Sequence, residues 1–385
     1  MEIWEQYLGE EERMVRQTVR DLVRKVIAPH AQEVDEQAQF PTENIKAIAD
    51  LGLMGLAIPE TYGGGQASTL SYLITVEEIA AGCASTALIY MTQTNAALAL
   101  LNAGSEDQCH RWLPDMANGR KLGALAMTEP GAGSDLAAIR TRAEWGGDHY
   151  RLTGTKTFVT NGSRADLVTV YARTSAGESA KGLSVFMVEK VMPGFRVGKI
   201  EKKMGVRGSD TAELVLDEVR VPVANLIGRE GDGFRIAMSV LNKSRLSCAA
   251  QALGIAAGAY ETALTYARER QTFGRHIGQH QAVQTILADM LIGIATARTY
   301  LYALARAVDQ GGTYIKEPAV AKTLCSDLAM RVTTDAVQLL GGYGFIREYQ
   351  VERMMRDAKV TQIYEGTNQI LRLLIARELV DRQSS

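Results

Sequence analysis

The sequence predicts an α+β multidomain protein. An N-terminal helical domain covers residues 1–120, a middle antiparallel β domain 121–230 and a C-terminal four-helix bundle 231–385. Three observations predict it. Apolar residues recur at helical spacing through the first part of the chain. They alternate, or run in short stretches between turn signals, from Leu122 to Val221. They return to helical spacing from Phe234 onward.

In the first part, Met14, Val15, Val19, Leu22, Val23 and Val26 mark an amphipathic helix from Glu10 to Val26, with Pro29 expected at or just beyond its end. Thr42 is a cap for Glu43–Leu51, which Gly52 stops. Pro59–Gly65 is a loop, and helices follow over Leu70–Ala81, Ser85–Leu101 and Glu106–Met116. Strands are expected around Tyr150–Leu152, Thr157–Thr160, Leu167–Tyr171 and Leu183–Val188, punctuated by Gly146-Gly147, Asn161-Gly162 and Pro193-Gly194. Pro222, Gly228, Gly231 and Gly233 close this region. The long segments Phe234–Gln271, Gln279–Gln310, Glu317–Leu340 and Tyr349–Val380, the last broken at Gly366, suggest a bundle.

A chain of 385 residues can bury a large core, and its 46% apolar and 22% charged content is that of a globular protein. A net charge of -2 gives no reason to expect nucleic-acid binding. Cys83, Cys109, Cys248 and Cys325 are scattered without a CxxC and read as reduced thiols. The N-terminal residues show neither a signal core nor a transit pattern. The expected location is a bacterial-type cytoplasm, although a mature mitochondrial-matrix form would read the same. Ile79–Ser105 is free of charge but too polar to span a membrane, and reads as a buried helix. There is no G-x-G-x-x-G and no phosphate loop, so any cofactor site is not built on a parallel sheet. His276 and His280 are four apart, but Gly278 lies between them and no carboxylate follows at ligand spacing. His30, His110 and His149 are isolated, and no metal site is expected.

Chemistry concentrates at Ile363-Tyr364-Glu365-Gly366-Thr367-Asn368-Gln369-Ile370. Gly366 breaks the preceding helix and Thr367 can cap the next. Glu365 thus sits at a helix-loop-helix junction between apolar neighbours. Burial would raise its pKa and a nearby helix N-terminus would lower it, as suits a general base. On its own the octapeptide reads sooner as a helix-initiating Glu-Gly pair without chemistry.

Together with Met355-Arg356-Asp357-Ala358, Met127-Thr128-Glu129-Pro130-Gly131-Ala132-Gly133-Ser134-Asp135 and Pro59-Glu60-Thr61-Tyr62-Gly63-Gly64, this octapeptide resembles the acyl-CoA dehydrogenases over nearly the whole chain. The resemblance implies a homotetrameric FAD enzyme that makes an acyl-CoA thioester α,β-unsaturated. It makes Glu365 the α-proton base, with hydride passing to flavin N5 and the Glu365 backbone N–H helping to hold the thioester oxygen. It implies that Leu125, Met127, Thr128, Gly133 and Ser134 line the flavin. Phe158, where many members carry Trp, packs on the ring beside Val159, and Thr160 bonds near N5. Arg270, Thr272 and Phe273 hold the pyrophosphate of a neighbouring subunit's FAD. Gln281, Gln338, Gly341 and Gly342 lie toward its adenosine end, and Thr367 and Gln369 beside the base.

For substrate, the resemblance implies Ser134, Asn242, Arg245, Tyr364, Gly366 and Arg377, with Arg245 close to the catalytic carboxylate. Several relatives place the base at the position of Ser244, which is not acidic here, so Glu365 is the expected base. Electron-transfer flavoprotein is the implied electron acceptor, with Glu201 near its docking surface. Ser85–Leu101 matches the helix lining the acyl pocket. It carries no cation to pair a second carboxylate, and Met91 and Gln93 could shorten the pocket. Short- or medium-chain, or branched, saturated acyl groups are expected. The alternatives are an acyl-CoA oxidase and a non-catalytic flavin-binding scaffold.

Overall fold

The computed structural model describes residues 3–175 and 180–381. The first part is helical: α1 (Glu10–Leu22), α2 (Ala28–Glu36), α3 (Thr42–Asp50), α4 (Thr69–Gly82), α5 (Ala84–Ala103) and α6 (Glu106–Ala117). Pro29 does not end the first helix as expected. A π-turn over Val23–Ile27 carries the chain through, with the Ala28 N–H bonded to Val23 O, and Pro29 falls in the first turn of α2. Proline has no amide to bond back along the helix, and a π-turn is one of the irregularities by which a continuing helix accommodates such a residue. Residues 84–100 of α5 are all buried, which explains their lack of charge.

The middle of the chain forms one eight-stranded sheet in the order β6-β7-β3-β2-β4-β5-β8, with β1 beside β4. Its strands are β1 (Gly123–Ala126), β2 (Arg142–Trp145), β3 (His149–Thr160), β4 (Leu167–Arg173), β5 (Leu183–Glu189), β6 (Phe195–Ile200), β7 (Thr211–Pro222) and β8 (Leu226–Ile227). Pairing is antiparallel except at β4, which takes β1 and the start of β2 in parallel. A bulge between Lys156 and Val159 interrupts the β3–β7 ladder.

Helix α7 (Gly233–Glu269) follows, then the ribbon β9 (Gln271–Thr272) and β10 (Arg275–His276). The chain then runs through α8 (Gln281–Asp309), α9 (Lys316–Leu340), α10 (Val351–Thr361) and α11 (Asn368–Asp381). At 1.5 Å per residue α7 is about 55 Å long, and it packs against α4, α5, α8, α9 and α10. The N-terminal helices and the bundle therefore share one core, with Leu73, Ile79, Leu253, Leu301 and Val332 among its members. A second core, including Trp112, Leu113 and Val185, joins α5 and α6 to the sheet. Among the described residues one helix, α8, is long and apolar enough to cross a membrane, and it packs on α7 and α9.

Candidate active site

The turn between α10 and α11 is built on two successive left-handed residues, Glu365 (φ 56°) and Gly366 (φ 93°). For glutamate that conformation costs about 1–2 kcal/mol, so the surroundings must hold it. They do so from several elements. The Thr367 hydroxyl accepts the Ile370 N–H (3.3 Å), as its capping role predicts, and the Asn368 N–H closes on Gln362 O (3.1 Å). Tyr364 donates its hydroxyl hydrogen to Gln251 of α7, whose own amide reaches Ala84 O (3.1 Å).

The Glu365 carboxyl is half-buried, and Oε2 accepts from the Ser244 hydroxyl. Burial pushes its pKa up, against the pull of Ser244, Arg245 and Lys322. Arg245 is buried on α7. It reaches the main-chain carbonyl of Glu365 (3.4 Å), not its carboxylate, and its Nη1 is held by Asn242 (2.7 Å). Of the two expected side chains of α7, Arg245 meets the turn and Asn242 acts on Arg245.

The middle-domain residues gather around the end of β1 and the end of β3. The Thr157 N–H donates to Thr128 O (2.9 Å) and Lys156 Nζ to Met127 O (3.1 Å). Lys156 also pairs with Glu129 (2.7 Å), whose carboxylate takes the N–H groups of Arg140 and Thr141. Met127 is buried, Leu125, Thr128 and Thr160 are half-buried, and Gly133 and Ser134 are exposed. Phe158 is not a core side chain of β3. It sits at the bulge with φ 56° and is 66% exposed, while Val159 turns into the sheet core.

Arg270, Thr272, Gly341 and Gly342 line one cleft of about 410 Å³ with Tyr266 and Tyr343. The Arg270 guanidinium stacks over Tyr343, 5.5 Å from its ring centroid. This lining includes none of the middle-domain residues. Phe273 (φ 51°), Gln281 and Gln338 lie outside the lining and are exposed. His280 bonds Thr272 (3.3 Å) and Arg275 (3.1 Å). Gln369 is exposed beside the turn. Arg377 is exposed on α11, about 14 Å along the helix from Asn368.

Gln93 does not shorten a pocket. Its amide spans Met116 O (2.9 Å), Lys121 O (3.1 Å) and the Gly123 N–H, fastening α6 and β1 to α5. Sequence reasoning missed Lys322 and Asn368, which bond each other (2.8 Å) beneath the turn. The available signal was a single cation in the run Pro318-Ala319-Val320-Ala321-Lys322 of a bundle helix.

The chain matches the three domain models of the acyl-CoA dehydrogenases: the N-terminal domain over residues 9–120, the middle domain over 124–219 and the C-terminal domain over 231–380. It is 44% identical over 373 residues to the short-chain specific acyl-CoA dehydrogenase of Clostridium acetobutylicum, covering 97% of this chain and 98% of that one. It is 48% identical to the cyclohexane-1-carbonyl-CoA dehydrogenase of Geobacter metallireducens over the same shares. A chain in the solved structure of the electron transferring flavoprotein of Acidaminococcus fermentans superposes with a TM-score of 0.95 at 43% identity, covering 97% of this chain and 98% of that one. With all three domain models matched and relatives 44–48% identical over nearly the whole chain, the chain belongs to the acyl-CoA dehydrogenase family.

Proposed function

We propose that this acyl-CoA dehydrogenase converts a saturated short- to medium-chain, or short branched, acyl-CoA to the trans-2-enoyl-CoA with Glu365 as base. The observation that carries this is Glu365 itself, a half-buried carboxyl with its pKa raised by burial, held in a strained turn facing α7. Such a group is both basic and aimed. Its carboxylate takes the α-proton, and its backbone N–H supports the charge that develops on the thioester oxygen.

Members of this family are FAD flavoproteins, and the residues present fit that cofactor. Among the described residues, Thr157 Oγ1 is buried without a hydrogen-bond partner, Phe158 offers an exposed apolar face, and Gly133, Gly341 and Gly342 have open space where a Cβ would stand. When bound, FAD accepts the β-hydrogen as hydride. Phe158 and the Leu125–Ser134 strip would hold the ring. Arg270 and Thr272 would hold phosphate, and Gly341 and Gly342 would let the adenosine approach the backbone.

The substrate class rests on α5, which lines its buried face without a cation, and on the short-chain relative. A homotetramer is supported by exposed apolar side chains on the outer helices, Ile292 on α8 and Leu373 and Leu379 on α11. An electron-transferring flavoprotein is the proposed acceptor. Glu201, paired with Lys199 (2.6 Å), lies beside the exposed Ile200. The four cysteines are free thiols, consistent with a reducing, cytoplasmic-type compartment.

The test is anaerobic bleaching of bound flavin by straight-chain, isobutyryl- and isovaleryl-CoA, on wild type and E365Q. Wild type should bleach with one acyl class and E365Q with none. Equal bleaching by the two removes Glu365 as base, and a chain that cannot be loaded with FAD removes the dehydrogenase reading. Peroxide release in air would favour an oxidase.

A further inference from the structure

We propose that Lys322 is a positioning residue for the base: from α9 it grips the Gly366 carbonyl and so fixes the direction in which the Glu365 carboxylate points. The inference rests on Glu365 being the base.

Two left-handed residues in succession relax unless the peptides after them are held. Both are held, each by a buried cation. Arg245 of α7 donates to Glu365 O (3.4 Å), and Lys322 Nζ donates to Gly366 O (2.8 Å). The second grip is the shorter and the better braced. Lys322 also donates to Asn368 Oδ1 (2.8 Å). The Asn368 amide in turn donates to Ser326 Oγ (2.9 Å) and to Asp327 Oδ1 (2.8 Å). The lysine, the carbonyl and the first residue of α11 therefore form one rigid unit on α9.

Lys322 is fully buried and forms no ion pair among the described residues. Burying an ammonium without a paired carboxylate costs several kcal/mol, and a methionine of similar size would pack there without that cost. A lysine buried at such a cost points to a use for its charge. The groups facing Glu365 are Ser244, Arg245 and Cys248 from α7, Lys322 from α9, Tyr72 from α4 and Tyr364 from its own turn. Only two are cations, and both favour the carboxylate. Cys248, Asp327 and Arg245 are the other groups that face Lys322. Without its charge, the base protonates at higher pH.

The experiment compares FAD-loaded wild type, K322M and K322Q in single-turnover anaerobic bleaching across the acid limb of the pH profile, alongside flavin content and thermal midpoint. E365Q serves as the reference for the base. K322M should slow bleaching about tenfold or more and move the acid limb to higher pH. K322Q keeps a donor for Gly366 O but no charge, so it should move the limb similarly while recovering part of the rate. If both variants keep the wild-type limb, or lose rate only in proportion to lost folded, flavin-loaded protein, Lys322 is merely structural. It is likewise structural if neither variant folds. If K322M alone fails to fold, K322Q decides. If E365Q bleaches like wild type, the base assignment falls first. If E365Q is dead and the limbs coincide, only the role of Lys322 falls.

Discussion

The Ser244 hydroxyl donates its hydrogen bond to Oε2 of Glu365, tying the N-terminal third of α7 to the turn that follows α10. Residue 244, a serine, is thus the hydrogen-bond partner of that carboxyl.

Replacing that donor tests the bond. Ser244 favours the ionised form of Glu365, so S244A should raise the pKa of this carboxyl, the proposed base, and move the acid limb of bleaching to higher pH. Well above the limb the rate should fall by less than about fivefold, because Arg245 and Lys322 still hold the turn. A pH profile of single-turnover bleaching checks both points. An unshifted limb would show that the hydroxyl does not stabilise the carboxylate.

Glu365 carries a stability cost of calculable sign. Burial raises the pKa of Glu365, so between its unfolded and folded values the folded chain binds more protons than the unfolded chain. Stability from this group is greatest at low pH and falls as pH rises through the folded value. E365Q should therefore raise the thermal midpoint by about 1–2 °C at neutral pH, with the gain vanishing below the ordinary carboxylate range. Melting curves of the two proteins against pH decide it.

A different carboxylate behaves in the opposite sense. Burial raises the pKa of Glu129, but the Lys156 ammonium and the Thr141 and Arg140 N–H groups outweigh it and hold the carboxyl below the usual range. Its contribution is complete above the unfolded pKa and lost as pH falls through the folded one. E129Q leaves Lys156 buried and unpaired, which should cost about 3 kcal/mol and release flavin. The E129Q/K156M double variant should recover much of the stability. Denaturant midpoints and the flavin-to-protein absorbance ratio are the readouts.

Phe158 separates a cofactor wall from a core side chain. An exposed phenylalanine at φ 56° contributes little to folding, and glycine adopts that backbone without strain. F158G should leave the stability of the flavin-free chain unchanged or raise it by about 1 kcal/mol, while weakening FAD retention. A core phenylalanine would instead lose about 3–5 kcal/mol on truncation. Thermal melts before and after flavin removal distinguish the two.

The periodic signals read well from sequence because they record burial. The charge-free α5 is buried along its length, and the return of helical spacing at Phe234 marks α7. Glu365 and Thr367 were legible because Gly366 announces a break and a capping residue follows it. What sequence could not show was direction and register. Pro29 reads as a stop until the π-turn at Val23–Ile27 shifts the hydrogen-bond register past it. Gln93 reads as a pocket residue until its amide is seen to fasten β1 and α6. Lys322 lies more than forty residues from the carbonyl that it grips, and no local pattern joins them.

The core that α7 shares with the N-terminal helices has a consequence for synthesis. The buried faces of α4 and α5 pack against α7, which begins only at Gly233. A ribosome adding ~5–20 residues per second needs roughly 7–26 s to travel from Ala103 to that helix. During that interval α4 and α5 can lie on each other, on α1, on α6 and on β1, but the faces that α7 will cover have no partner. The long helix acts as a late-arriving clasp, and a polypeptide halted before it would leave the ribosome with its stickiest surface uncovered.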